Sequence, residues 1–339
     1  MSRTALVTGG TGFIATHLVP ALTGSGWEVR TCGRRPRPDW LASEVDYRRV
    51  DLTGDDDLAT LVDGVDSVFH LAGASSSSSS DEEMQRDNVE ATGNLVEAAL
   101  GEGVARFLHV SSSSVYGEEV ELPSPVVEDV EPVPSRGYGK AKWGAEQAVW
   151  RGGKDGLATV VLRPVSVYGP GNTKLLGSAI LDAAIERFAG QATLLVHDQP
   201  VELRLLHVDD LVSACLHLVD HPDATGRAFN LTMPTYPSSH EVAGLIAQEL
   251  HMELALGPDP DCGLDHAQRQ GAHARMLEAG MVDAILLSPE RFRMLRKTNR
   301  NNRLSVDALL GTGFTFGRTD LAAGVAATVG WYQDHRWII

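Results

Sequence analysis

The chain has 339 residues, 43% of them hydrophobic and 22% charged, a composition that excludes a disordered chain and supports a substantial core. Its formal net charge of −16 disfavours a nucleic-acid partner, and no apolar run reaches membrane-spanning length. Three scattered cysteines (Cys32, Cys215, Cys262) make no disulfide framework, and the N-terminus enters a strand almost at once, so a cytoplasmic protein is expected.

Short β-rich segments begin at Thr4 (TALVTG), Glu28 (EVRTCG), Val45 (VDYRRVDL), Ser67 (SVFHLAG), Arg106 (RFLHVSS) and Ala158 (ATVVLRPVSVYG). Helical stretches separate them, notably residues 85–102 and 138–151, and AFNLT from Ala228 returns as a late strand. This alternation predicts an α/β fold, a doubly wound parallel Rossmann sheet. The last hundred residues carry fewer strand signals and more arginine, which predicts a smaller, mainly helical C-terminal substrate lobe. The expected division is residues 1–170 plus 207–232 for the dinucleotide domain and 171–206 plus 233–339 for the lobe.

After the first strand comes TGGTGFIA, in which Gly10, Gly12 and Ala15 fill the G-x-G-x-x-G/A spacing. Gly9, Gly10, Thr11, Gly12, Phe13 and Ile14 are therefore the expected cradle for a dinucleotide pyrophosphate at a helix N-terminus. The second strand ends Gly33-Arg34-Arg35, with no acid at its tip to accept ribose hydroxyls. Arg34 or Arg35 suits a 2′-phosphate, so NADP is the preferred cofactor and NAD the alternative. Asp51 and Leu52, closing the third segment, are expected beside the adenine. The serine run Ser75 to Ser80 reads as a mobile loop, either a lid or a plain connection. Cys262, His266 and His273 are read as part of a surface helix, not a metal site.

The stretch SRGYGKAKWGAE from Ser135 places Tyr138 and Lys142 four residues apart, on one helix face about 40° apart. A nearby cation would favour the phenolate, so the pair suits proton transfer. Trp143, Gln147 and Trp150 fall on the opposite side. They serve either a homodimer interface with the helix at 85–102 or packing beneath the loop at 118–135.

The motifs TGGTGFIA, VDL at Val50, HLAG at His70, Asn88 in DNVEATGN, SSSSVYG at Ser111, YGKAK at Tyr138, LRPVSVYGPG at Leu162 and HVDDL at His207 share one order and spacing. In them the chain resembles the extended short-chain dehydrogenase/reductases, NAD-dependent epimerase/dehydratase class. The resemblance implies that Tyr138 is the acid/base, that Lys142 holds the nicotinamide ribose and lowers the tyrosine pKa, and that a serine polarises the substrate oxygen. Ser112 is the first candidate for that serine and Ser114 the second. It further implies cofactor contacts at Leu71, Ala72, Gly73, Asn88, Val110, Arg163, Pro164 and Val165, and substrate contacts at Ser112, Ser113, Ser114, Tyr138, Asn172 and Arg204.

Two departures from the family pattern bear on substrate. Many nucleotide-sugar members carry an arginine four residues before the histidine of the H-V-x-D segment; here Leu203 stands there and Arg204 follows. Either a bulge restores Arg204, or Arg291, Arg293 or Arg296 takes the phosphate, or the substrate has no diphosphate. Ser113 stands where dehydratases carry an acid, which disfavours elimination chemistry. The expected activity is hydride transfer at C4 of a nucleotide-linked hexose, by a 4-ketoreductase or a related 4-epimerase. The alternatives are a ketoreductase or alcohol dehydrogenase for a steroid-like or polyketide ketone, and a non-catalytic NADP-sensing protein.

Overall fold

The computed structural model of the chain describes residues 2–74, 79–117, 121–258, 263–296 and 303–339. Ser75 to Ser78 of the serine run and Cys262 lie outside them.

Strand β1 (Thr4–Thr8) is followed by α1 (Phe13–Gly24), β2 (Glu28–Gly33), β3 (Asp46–Arg49), the short α2 (Leu58–Val62) and β4 (Ser67–His70). Next, α3 (Asp81–Met84) runs through a π-helical turn (Gln85–Glu90) into α4 (Ala91–Gly101), followed by β5 (Arg106–Val110), α5 (Gly137–Lys154), β6 (Thr159–Pro164) and β7 (Ser166–Tyr168). Then come α6 (Leu176–Phe188), β8 (Thr193–His197), β9 (Leu205–His207), α7 (Val208–Val219) and β10 (Arg227–Leu231). The chain closes with α8 (Ser239–Glu249), β11 (Glu253–Gly257), α9 (His266–Glu278), α10 (Arg293–Arg296), α11 (Asp307–Leu310) and α12 (Leu321–Asp334).

Seven strands form one parallel sheet in the order β10-β6-β5-β4-β1-β2-β3. The order reverses direction between β1 and β4, the switch point of a doubly wound sheet, where ligands bind beyond the strand ends. Ala5, Leu6 and Val7 of β1 are fully buried, as are Val68 and Phe69 of β4. Such continuous apolar runs belong to strands covered by helices on both faces. On one face Leu6, Val68, Phe107 and Val161 pack with Leu95, Val96 and Val149 of α4 and α5.

The molecule comprises two compact units. The first is Met1–Val165, Val208–Thr232 and Asn302–Thr315; the second is Ser166–His207, Met233–Asn301 and Phe316–Ile339. Among the described residues, the second unit contains five helices and two small parallel sheets, β7 with β9 and β8 with β11. Its core gathers Ile180, Ile185, Leu205, Ile246, Val325 and Tyr332.

Three local features differ from the sequence reading. The run from Ala158 is not one strand: β6 ends at Pro164, and β7 pairs in a different sheet. Proline has no N–H for the ladder, which makes it a natural place for a chain to leave a sheet. The helix at 85–102 begins earlier and includes a π turn, in which Asn88 Nδ2 reaches the Met84 carbonyl at 2.9 Å. On α5, Gln147 is exposed, Trp143 is half-buried, and Trp150 packs against the core cluster beneath it, so the tryptophans do not form one outward face.

Candidate active site

The loop after β1 is shaped by contacts that only glycine permits. Gly9 adopts φ +71°, and a Cβ on Gly10 would overlap the Thr31 hydroxyl, which is held by the Val7 carbonyl at 2.7 Å. Gly10 N–H donates to Cys32 O at 2.8 Å, and Gly12 N–H to Gly9 O at 2.9 Å. Gly12 is the N-cap of α1 and provides no side-chain cap, and the first turn carries no acid. The positive end of α1 is thus left for an anion. Thr8 fixes the neighbouring strand end: its hydroxyl accepts the N–H groups of Leu71 and Ala72, each at 3.2 Å.

At the tip of β2, the backbone around Arg34 and Arg35 is clamped from β3. Arg49 Nε donates to Arg34 O at 3.0 Å, and the Tyr47 hydroxyl donates to Arg35 O at 2.5 Å. Asp51 accepts both the N–H and the hydroxyl of Thr53, which lowers its pKa. The buried Leu52 has its carbonyl taken by Asn94.

The proton-transfer residues meet beyond the end of β5. Ser112 is extended, and its hydroxyl accepts Ser114 N–H at 3.1 Å and donates to Ser114 Oγ at 3.1 Å. The same side chain hydrogen-bonds the Tyr138 phenol, so of the two serines weighed from sequence it is Ser112 that reaches the tyrosine. Ser113 and Ser114 follow in the 3-10 turn Ser113–Tyr116. Burial raises the Tyr138 pKa, and the Ser112 hydrogen bond works against that rise. One turn further along α5, Lys142 Nζ donates to Val110 O at 2.8 Å. Desolvation brings Lys142 itself from 10.5 down to about 8, opposed by the negative charge of Glu146.

Gly73 lies between Asn88 and Lys142. A Cβ there would overlap Asn88 Oδ1 and come within 3.7 Å of Lys142 Nζ. Asn88 is buried, and its Nδ2 is satisfied by Ala74 O and Met84 O, while Oδ1 has no partner among the described residues. An unsatisfied buried acceptor beside a lysine is costly unless a ligand or water completes it.

Some of the expected contacts are otherwise engaged. The Arg163 side chain bonds Glu146, the Tyr116 hydroxyl and Glu128 O inside the first unit. Pro164 and Val165 are buried where β6 leaves the sheet, with Val165 N–H on Leu231 O at 3.0 Å. Asn172 and Arg204 belong to the second unit. There Asn172 uses its amide to accept Lys174 N–H and to donate to Val167 O. Leu203 and Leu205 are buried in the lobe core, and Arg204 between them, which lies just before β9, is half-buried. Arg291 forms a buried ion pair with Glu186, which removes it as a phosphate ligand; Arg293 pairs with Glu290 at the surface.

Glu146, which the sequence reading missed, is fully buried one turn beyond Lys142 and accepts from Ser111 Oγ at 2.5 Å and Arg163 Nη2 at 2.8 Å. The repeated spacing of four through Tyr138, Lys142 and Glu146 was the available signal.

The glycine cradle, the capless helix end and the orphaned Asn88 acceptor fit a dinucleotide with its pyrophosphate at α1 and its nicotinamide end near Gly73. A 3-beta-hydroxysteroid dehydrogenase of Mycolicibacterium neoaurum is 32% identical over 66% of the chain, which spans 64% of that protein's length. The GDP-6-deoxy-D-mannose reductase of Pseudomonas aeruginosa is 30% identical, with 81% of this chain and 90% of that one covered. Among solved structures, MoeE5 in complex with UDP-glucuronic acid and NAD superposes with a TM-score of 0.72 at 28% identity, over 98% of this chain and 99% of that one. The NAD dependent epimerase/dehydratase family model matches residues 5–232, from β1 through the last strand of the large sheet, and on that match the chain belongs to this family.

Proposed function

We propose that the chain is an NAD(P)-dependent oxidoreductase that moves hydride between nicotinamide and a secondary alcohol or ketone, at C4 of a nucleotide-linked hexose, with NADPH preferred. The Ser112–Tyr138 hydrogen bond, set beside the buried Lys142, carries this reading. When bound, the nicotinamide supplies two-electron hydride chemistry; the proton and the developing charge are left to the protein. As a ketone carbon is reduced, its oxygen gains negative charge, which the Ser112 hydroxyl stabilises while the Tyr138 phenol donates the proton. The raised phenol pKa keeps Tyr138 protonated and able to donate at neutral pH. Lys142 adds a positive charge to the same corner, and Asn88 Oδ1 offers it an acceptor. Gly9 to Ile14 hold the pyrophosphate, Gly33 to Arg35 the adenosine 2′ end, Asp51 and Leu52 the adenine, and Leu71, Ala72, Gly73 and Val110 line the nicotinamide end.

The sugar assignment draws support from coverage. Substrate choice belongs to the lobe, and the likeness to the deoxymannose reductase and to MoeE5 extends over most of both chains, whereas the steroid dehydrogenase matches over a shorter share. A second reading, a ketoreductase for a steroid-like ketone, is favoured by Leu203 standing in the lobe core where a phosphate-binding arginine was sought. Oxidation of NADPH with a nucleotide-linked 4-keto-hexose or with a 3-ketosteroid separates the two. The sugar should turn over, and Tyr138→Phe should lower kcat by about 100-fold or more. Turnover confined to the steroid would replace the sugar reading, and full activity of the Phe variant would remove the mechanism.

A further inference from the structure

The carboxyl ends of β2 and β3 face a cluster on the π turn after α3. Arg34 Nη2 lies 2.9 Å from Asp87 Oδ2, and Arg86 Nε lies 2.9 Å from Asp87 Oδ1. The Asp87 side chain is only 11% exposed while that of Arg34 is 57% exposed, so the carboxylate is fixed and the guanidinium remains reachable from solution. The backbone of Arg34 is independently pinned by Arg49. An aspartate from a distant helix thus governs where the Arg34 head group rests.

We propose that Asp87 is a specificity-determining residue for the dinucleotide: its carboxylate competes with a ribose 2′-phosphate for Arg34, holding down affinity for phosphorylated cofactors relative to unphosphorylated ones. This deepens the cofactor reading above and rests on the glycine loop being a dinucleotide site. A surface ion pair is weak enough for a phosphate to displace. Displacement does not remove the carboxylate, however, which still repels a dianion drawn to the same guanidinium. A ribose bearing only hydroxyls meets neither cost. Asp51 also lies within electrostatic reach of Arg34 and Arg86, but only Asp87 is ion-paired with both guanidinium groups, so it is Asp87 that an incoming phosphate must displace.

The test is calorimetric titration of the full-length wild type, Asp87→Asn and Arg34→Met with 2′,5′-ADP and with 5′-AMP, neither of which requires turnover. Asp87→Asn should raise the preference for 2′,5′-ADP by about fivefold or more, with 5′-AMP affinity unchanged. Arg34→Met should lower that preference. An unchanged or reduced preference in a folded Asp87→Asn protein overturns the proposal. Should the wild type fail to distinguish the two ligands while Asp87→Asn favours 2′,5′-ADP, the proposal stands and the NADP preference falls instead. If neither ligand binds any of the three proteins, the dinucleotide reading fails and takes the proposal with it.

Discussion

Lys142 is buried, and desolvation sets its pKa near 8 in the folded chain against an ordinary 10.5. Between those two values the unfolded chain binds more protons than the folded one, so stability contributed through this group rises with pH across that window. Below about 8 the cost of burying the cation is present in full. Ketone reduction should show the opposite trend, falling as pH rises through about 8 because the positive charge beside Tyr138 is lost. A pH profile of kcat tests this; a rate that stays level well above that value excludes a role for the lysine charge. The four-residue spacing put Tyr138 and Lys142 on one helix face, but it was the family motifs around them, not the spacing, that made the pair candidates. Ser112 stood ahead of Ser114 by its place before Val115-Tyr116-Gly117, whereas the 3-10 turn that follows Ser112 and sets which hydroxyl faces the phenol has no signal in the pattern.

At the scale of elements, Glu146 joins α5 to the end of β5 through Ser111 and to β6 through Arg163. Arg163 continues the chain of bonds to Tyr116, whose hydroxyl donates to Asn230 of β10 at 2.8 Å. Glu146→Gln leaves the Arg163 cation buried without its counter-charge and should cost about 3 to 5 kcal/mol in urea denaturation. A loss below about 1 kcal/mol would mean that the network is redundant. Strand alternation made the large sheet readable, since each βα unit announces itself by a short apolar run and a following helix. The π turn left no mark in the pattern, whereas Arg163-Pro164 did signal that the chain leaves the sheet there, though not that β7 joins another sheet. The turn is accompanied by the bonds of Asn88 to the Met84 and Ala74 carbonyls, which residue type alone does not announce, and the destination of β7 depends on its pairing with the distant β9.

For the whole molecule, the remaining expectation is a homodimer through α4 and α5. Gln147 is exposed and Trp143 half-buried on α5, while Trp150 is already committed to the core, so any such interface is narrower than the sequence suggested. Sedimentation should give a mass near twice 36.4 kDa; a monomer would leave Trp143 as local packing. Charge and composition bounded the partner class but said nothing of the lobe's sheets, whose strands are short and paired across long sequence separations.

The chain passes between the two units five times, at Val165 and Ser166, at His207 and Val208, at Thr232 and Met233, at 301 and 302 and at Thr315 and Phe316, so that each unit is assembled from three separate stretches. Modular exchange is correspondingly difficult. Neither half can be cut out as a continuous gene fragment, and transplanting the second unit of a relative calls for a splice at every passage, the first three of which abut strand ends. New specificities in this architecture are therefore more readily reached by substitutions and loop insertions within the lobe than by recombination of whole domains.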